Sequence, residues 1–289
     1  MLNELVGLQG SFWILPLMAV AMFVSLCFIE GVVTKRPIGE KPPRELVTDL
    51  SYWLISPVLR QISRVLLAGM LLLAAAALGQ DDAPRMVKGF GPLAQLPFAA
   101  TVVIALIVSD LSSYWEHRLM HRVPFLWRFH AIHHSAKTIR WSTIGRVHPI
   151  NEIINYVAGV VPCLLIGLPL ASILTMIPVM MWWAVLAHSD FKWSFGRLGR
   201  VFVSPVFHRW HHTHSQEGGD SNFANVLSLW DRVFGSYYLP KDKAPQVFGL
   251  DVDDMPDGYV GQLLYPFNGG RQKDEAVVMS SRPAPERSS

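Results

Sequence analysis

Long uncharged runs alternate with short polar stretches along this chain. About 20 apolar residues at 1.5 Å each are enough to cross the hydrocarbon core of a bilayer. Leu5–Ile29 carries no charge and reads as a first spanning helix. Val65–Gln80 is shorter, but its apolar pattern extends back through Tyr52–Ile62, from which Arg60 and Arg64 can snorkel to an interface. Pro92–Ser109 is a third uncharged run and leads into a histidine-rich region. Ile153–Ala187 is too long for one helix, and Gly167-Leu168-Pro169 near its middle is a turn signal. That run therefore predicts a hairpin of two helices, tilted or penetrating only part of the bilayer.

The basic residues suggest how these five segments are oriented. Lys35, Arg36, Lys41, Arg44, Arg60 and Arg64 flank the first connection, against Arg85 and Lys88 in the second. Residues 110–152 hold six Lys/Arg and residues 188–289 hold eleven. Positive charge gathers on the cytoplasmic side, which predicts an external N-terminus and a cytoplasmic histidine region. No basic residue precedes Lys35, so the first run reads as a retained helix rather than a signal peptide. The predicted fold is all-α: an integral membrane helical bundle with a cytoplasmic histidine-rich cap. Its parts would be N-terminal transmembrane helices at 1–91, a catalytic domain at 92–240, and a C-terminal extension at 241–289. The extension is polar from Gly269 and reads as partly disordered.

Composition agrees with a membrane protein. Of 289 residues, 51% are apolar and 16% charged, against about 25% charged in a typical soluble domain. Mean hydropathy is +0.29. The net charge of +3 reflects the cytoplasmic Lys and Arg, and no nucleic-acid partner is expected. Cys27 and Cys163 lie in apolar runs and read as buried, inert thiols.

All eleven histidines fall between His117 and His214. Three clusters stand out: His117-x-x-x-His121, His130-x-x-His133-His134 and His208-x-x-His211-His212. Positions i, i+3 and i+4 of a helix neighbour one another, so each cluster presents two or three imidazoles in one direction. Burying so many ionisable rings demands a compensating partner. Eight imidazoles suit two adjacent metal ions with positions left open.

These clusters and their surroundings resemble the fatty acid hydroxylase/sterol desaturase superfamily of membrane di-iron oxygenases. Leu126-Trp127-x-x-His130, Arg146-x-His148-Pro149-x-x-Glu152, Ala187-His188-Ser189, Pro205-x-x-His208-Arg209, Asp220-x-Asn222 and Trp230-Asp231-Arg232-x-Phe234-Gly235 carry the likeness over residues 92–240. It implies His117, His121, His130, His133, His134, His208, His211 and His212 as metal ligands, with His188 as a ninth. His148 is as suited to orienting a ligand or to a structural role as to binding the metal itself, and His214 reads as a surface residue. Asp220-Ser-Asn222-Phe223-Ala224 and His188-Ser-Asp190 depart from the commoner D-x-N-Y-G and H-S-N, which puts the surroundings of the centre in doubt rather than the centre itself.

Imidazole ligation suits Fe, Zn or Cu. The residue after His117 is Arg118, so H-E-x-x-H is absent and zinc-dependent proteolysis is disfavoured. Two irons fit O2 activation, with zinc as a substitute in purified protein. The implied enzyme is an oxidoreductase, a monooxygenase or desaturase of lipid biosynthesis acting on an unactivated C–H of a lipid. A separate cytochrome- or ferredoxin-type donor would supply electrons. The site would face the cytoplasm from a bacterial inner membrane or endoplasmic reticulum. Neutral rings around cations call for acidic groups to orient their N–H bonds. Asp110, Glu116, Glu152, Asp190, Asp220 and Asp231 are candidates, and several Trp, among them Trp115, Trp127, Trp182 and Trp210, are candidates for a hydrophobic slot or an interfacial belt. The alternative class is a non-catalytic membrane metal- or haem-binding electron-transfer protein, which would place paired histidines at bilayer depth.

Overall fold

A computed structural model describes residues 25, 28–32, 42–77, 87–241, 243–252 and 254–268. Most of Leu5–Ile29, Cys27, the side chains of Arg60 and Arg64, and the tail from Gly269 lie outside the described residues. Among those residues the regular structure is helical, with one isolated bridge between Thr213 and Phe248.

Helix α1 runs Pro43–Ala77. It starts well before the expected Tyr52 and takes in Arg44, Glu45 and Asp49. Two of these charges are not left to solvent. Arg146 donates through Nε to the buried Asp49 carboxylate, and its guanidinium lies 3.5 Å from Glu45. A distant partner therefore extends the helix beyond its apolar run.

Helix α2, Phe98–Arg122, likewise outruns its uncharged segment, so one helix carries both a membrane-length apolar stretch and the first two histidines. Asp110 does not break it. Its carboxylate accepts from Val226 N, Leu227 N and Trp230 Nε1, each at 2.9 Å, and so anchors a later loop.

Helices α3 (Pro124–His134), α4 (Pro149–Leu165), α5 (Leu170–His188) and α6 (Pro205–His211) follow. Proline at the first turn of α3, α4 and α6 costs no hydrogen bond and fixes where each begins. The turn read at Gly167 joins α4 to α5. Gly167 has φ +84°, and a Cβ there would stand 2.3 Å from the Phe90 carbonyl, so only glycine fits.

Helix α2 packs against α3, α4 and α5. Ala105, Val160, Cys163, Leu168, Ile173 and Met176 form a core between them. Among the described residues two helices, α2 and α5, are long and apolar enough to cross a membrane, and about 33% and 28% of their apolar windows are buried. Val103, Ile107, Leu174 and Trp182 point outward, an apolar surface suited to lipid. Short helices α7 (Leu229–Val233) and α8 (Tyr259–Leu264) follow. After Pro240 the sequence loses periodicity, yet Leu250, Met255 and Tyr265 pack on Trp127 and Ala131 of α3. Single anchors hold this segment, and such anchors leave no repeat to read.

Candidate metal centre and lipid cavity

The structure brings nine buried histidines into two adjoining groups. His117 and His121 from α2, His130 and His134 from α3, and His211 from α6 form one. His133 from α3, His188 at the end of α5, and His208 and His212 at α6 form the other. Within each group the candidate ligand nitrogens lie within 4.8 Å of one another. The rings of His134 and His212 stack at 4.5 Å where the groups meet.

Both H-x-x-H-H motifs are divided between the groups rather than aimed in one direction. Residues i and i+4 are offset by about 40° around a helix, whereas i+3 lies about 60° to the other side of i. The pairs His130/His134 and His208/His212 therefore each stay together, and His133 and His211 cross to the opposite group. Ser204 sets the phase of α6 by accepting a hydrogen bond from Phe207 N through its side chain.

The ring nitrogens show what the groups are built to hold. His117 Nδ1 lies 2.8 Å from the Phe223 carbonyl, His211 Nδ1 2.7 Å from that of Ser221, and His188 Nδ1 2.8 Å from that of Ala184. A carbonyl only accepts, so each Nδ1 donates and each Nε2 of these neutral rings carries a lone pair. His188 Nε2 faces Nε2 of His133, His208 and His212 at 3.1, 3.1 and 3.2 Å. At most one of those three can donate to it, and His208 and His212 also face each other at 3.1 Å. The Nε2 atoms of His121 and His211 are buried without a hydrogen-bond partner among the described residues. Burial and the neighbouring imidazoles hold His133, His134, His208 and His212 well below the usual histidine pKa, so these rings stay neutral. Lone pairs converging in a dry site fit a cation at the centre of each group.

The acidic candidates sit differently from one another. Asp231 accepts from Phe223 N, Ala224 N and Ser236 Oγ, and so reaches His117 only through the Phe223 loop. Asp110 holds residues 226–230, as described above. Asp220 pairs with Arg122 at 2.8 Å and Asp190 with Arg209 at 3.0 Å. Glu116 and Glu152 line a cavity beside the histidines. His148 lies outside both groups. Its Nδ1 accepts from Ile150 N at the start of α4, and its Nε2 donates to the Leu263 carbonyl at 3.2 Å. His214 lies 3.9 Å from Asp251. Sequence reading missed Asn151, whose side chain lies 3.0 Å from His130 Nδ1. Asn151 and Asn155 sit four residues apart on a largely apolar helix, and that polar stripe was the available signal.

A cavity of about 390 Å³ opens from His117, His130, His133, His188 and His208 between α1, α2, α4 and α5. Its apolar walls are Tyr156, Val160, Met176, Ile177, Met180 and Met181. None of the Trp residues proposed for a slot lines it; Trp53 of α1 does. Trp182 is 58% exposed on the outer face. Histidines gathered at the end of an apolar chamber fit a buried imidazole metal site beside a space for a hydrophobic molecule.

Residues 102–236 match the model of the fatty acid hydroxylase family. The ornithine lipid hydroxylase of Rhizobium tropici is 32% identical over 180 residues, covering 62% of this chain and 54% of that protein. The alkylglycerol monooxygenases of Danio rerio and Caenorhabditis elegans are 29% and 27% identical, covering 60% and 53% of this chain. Those matches span 39% and 30% of the two enzymes, so the chain covers about half or less of these relatives' length. No solved structure matches the chain.

Proposed function

We propose that the chain is a multi-pass membrane oxygenase that hydroxylates or desaturates an unactivated C–H of a lipid, using O2 and electrons from a separate donor. The observation that carries this reading is the convergence of nine buried imidazoles, in groups of five and four, at the end of an apolar cavity. The family match and the lipid-acting names of the relatives support it. His117, His121, His130, His134 and His211 would hold one iron, and His133, His188, His208 and His212 a second. Iron so held would supply the activation of O2 that attack on an unactivated C–H requires.

The protein's own contribution is placement and exclusion of water. Tyr156, Met176 and Met180 would grip the lipid chain, and α1 closes the chamber through Tyr52 and Trp53. Holding the carbon against the histidines converts an encounter into an oriented reaction. The Phe223, Ser221 and Ala184 carbonyls fix three rings with Nε2 inward, so no ring has to turn for binding. The histidine end would face the cytoplasm, and a reporter fused after Ser289 should read as cytoplasmic; an external signal would overturn that orientation.

Purified protein should carry about two irons per chain. With a reducing system it should incorporate label from 18O2 into a lipid of a total membrane extract, or yield an O2-dependent alkene. A haem absorption band, or iron-loaded protein that alters no lipid, would overturn the reading.

A further inference from the structure

The chamber has a floor as well as a histidine end. Along α5 its lining recurs every four residues, at Met176, Met180, Ala184 and His188, so one helix face runs from the histidines into the apolar bundle. Among the described residues the lining of the three bundle helices stops at Ser109 of α2, Val160 of α4 and Met176 of α5. About one turn farther from the histidines each helix carries a residue with 0% exposure: Ala105, Cys163 and Ile173. These three form one packed core, and Val160 and Met176 belong to it as well. Those two side chains therefore have the chamber on one side and the core on the other.

The layer behind them is fastened across the helices. Cys163 Sγ donates to the Ala105 carbonyl at 3.5 Å, and the hydroxyls of Thr101 and Ser172 hydrogen-bond at 2.7 Å. Gly159 lets α4 come close to α2, since a Cβ there would stand 3.1 Å from Ser109 Oγ. A close-packed interior of this kind does not admit further methylenes. His188 and Met176 are twelve residues apart and His117 and Ser109 eight, which is about 18 Å and 12 Å at 1.5 Å per residue. With C–C bonds of about 1.52 Å, an extended hydrocarbon advances about 1.25 Å per carbon, so this depth takes about 10–14 carbons.

We propose that this blind end measures the substrate. The methyl terminus of a straight hydrocarbon chain rests on Val160 and Met176, and the carbon brought to the histidines is the one about 10–14 carbons from that terminus. The inference rests on the reading of the chamber as a lipid site and adds the end from which the chain is counted. Val160 and Met176 are its specificity-determining residues.

The test measures displacement of tritiated decanol from the iron-loaded full chain by straight-chain alcohols from octanol to eicosanol. Digitonin is the detergent, because it has no straight alkyl chain to occupy the chamber. Affinity should rise at least roughly twofold with each carbon until the chain fills the depth, at about 10–14 carbons, and level off beyond it. Val160→Phe raises the floor and should move that break about two carbons shorter, whereas Met176→Ala lowers it and should move the break about two carbons longer. The position of the break is the readout, because a loosened fold weakens every chain without moving it. Should Val160→Phe fail to fold, Met176→Ala decides alone. A hexadecanol with a diazirine at its methyl end should label the floor of α4 and α5 on illumination. A break that stays in place in the folded variants, affinity that climbs without a break to eicosanol, or labelling of the floor by a probe with the diazirine beside its hydroxyl overturns the assignment. A wild type that binds none of the alcohols overturns the lipid-site reading instead.

Discussion

His117 Nδ1 donates to the Phe223 carbonyl across 2.8 Å, which ties the first histidine motif to a loop more than a hundred residues away. That loop is held in turn by Asp231, which accepts from Phe223 N at 2.7 Å, Ala224 N at 2.9 Å and Ser236 Oγ at 2.7 Å. The order of control runs from a carboxylate, through a backbone, to a ring.

Asp231→Ala should therefore damage the centre without touching a histidine. Hydrogen bonds to a charged acceptor are worth roughly 1.5–3 kcal/mol each, and the variant leaves three buried donors without one. Thermal melting in detergent should show a loss of several kcal/mol, and iron content should fall. Asp231→Asn should also be impaired, because its amide NH2 places a donor against a donor. Full iron content in Asp231→Ala would show that the Phe223 loop does not position His117.

The division of the motifs makes His133 and His211 informative together. They occupy the same i+3 place in two copies of one motif, yet His133 joins the group of four and His211 the group of five. Each alanine variant should lower iron from about two per chain toward one and abolish O2-dependent turnover, while membrane insertion persists. Elemental analysis of each variant checks this. A single variant that loses all metal would show that the two groups load as a unit, and one that keeps both irons and its activity would remove that ring from the site.

What the sequence reading could see depended on the distance over which each feature is encoded. The three histidine clusters and the Gly167 turn are local: spacing and one positive-φ glycine suffice to place them. Spacing separates the i+3 ring from the i/i+4 pair, but which group each ring joins depends on how α3 and α6 are rotated against each other, which no spacing within either helix contains. Ring orientation was expected from side-chain carboxylates, but His117, His188 and His211 are held by backbone carbonyls, and a carbonyl has no residue type to read. The start of α1 was misplaced because Asp49 and Glu45 are neutralised by Arg146, about a hundred positions later. The Trp residues read as either a slot or an interfacial belt, and the ones named for a slot do not line the chamber. The walls are instead mainly Met and aliphatic residues, whose flexible side chains suit an irregular apolar space.

Met180 tests whether that space is where the lipid goes. It lines the cavity from α5, and its sulfur lies 3.4 Å from Ser109 Oγ on α2. Met180→Trp would push a larger side chain into the chamber. Overpacking of a filled core typically costs about 1–3 kcal/mol, and the free volume here should keep the penalty toward the lower end. Iron content should therefore stay near that of the wild type while lipid turnover falls at least roughly tenfold. Trp182, two positions on and 58% exposed on the outer face, provides the contrast. Trp182→Ala should leave chamber and centre intact, so its turnover per iron should match the wild type. Product formation normalised to bound iron separates these outcomes. Undiminished turnover in a well-loaded Met180→Trp enzyme would mean that the lipid reaches the histidines by another route.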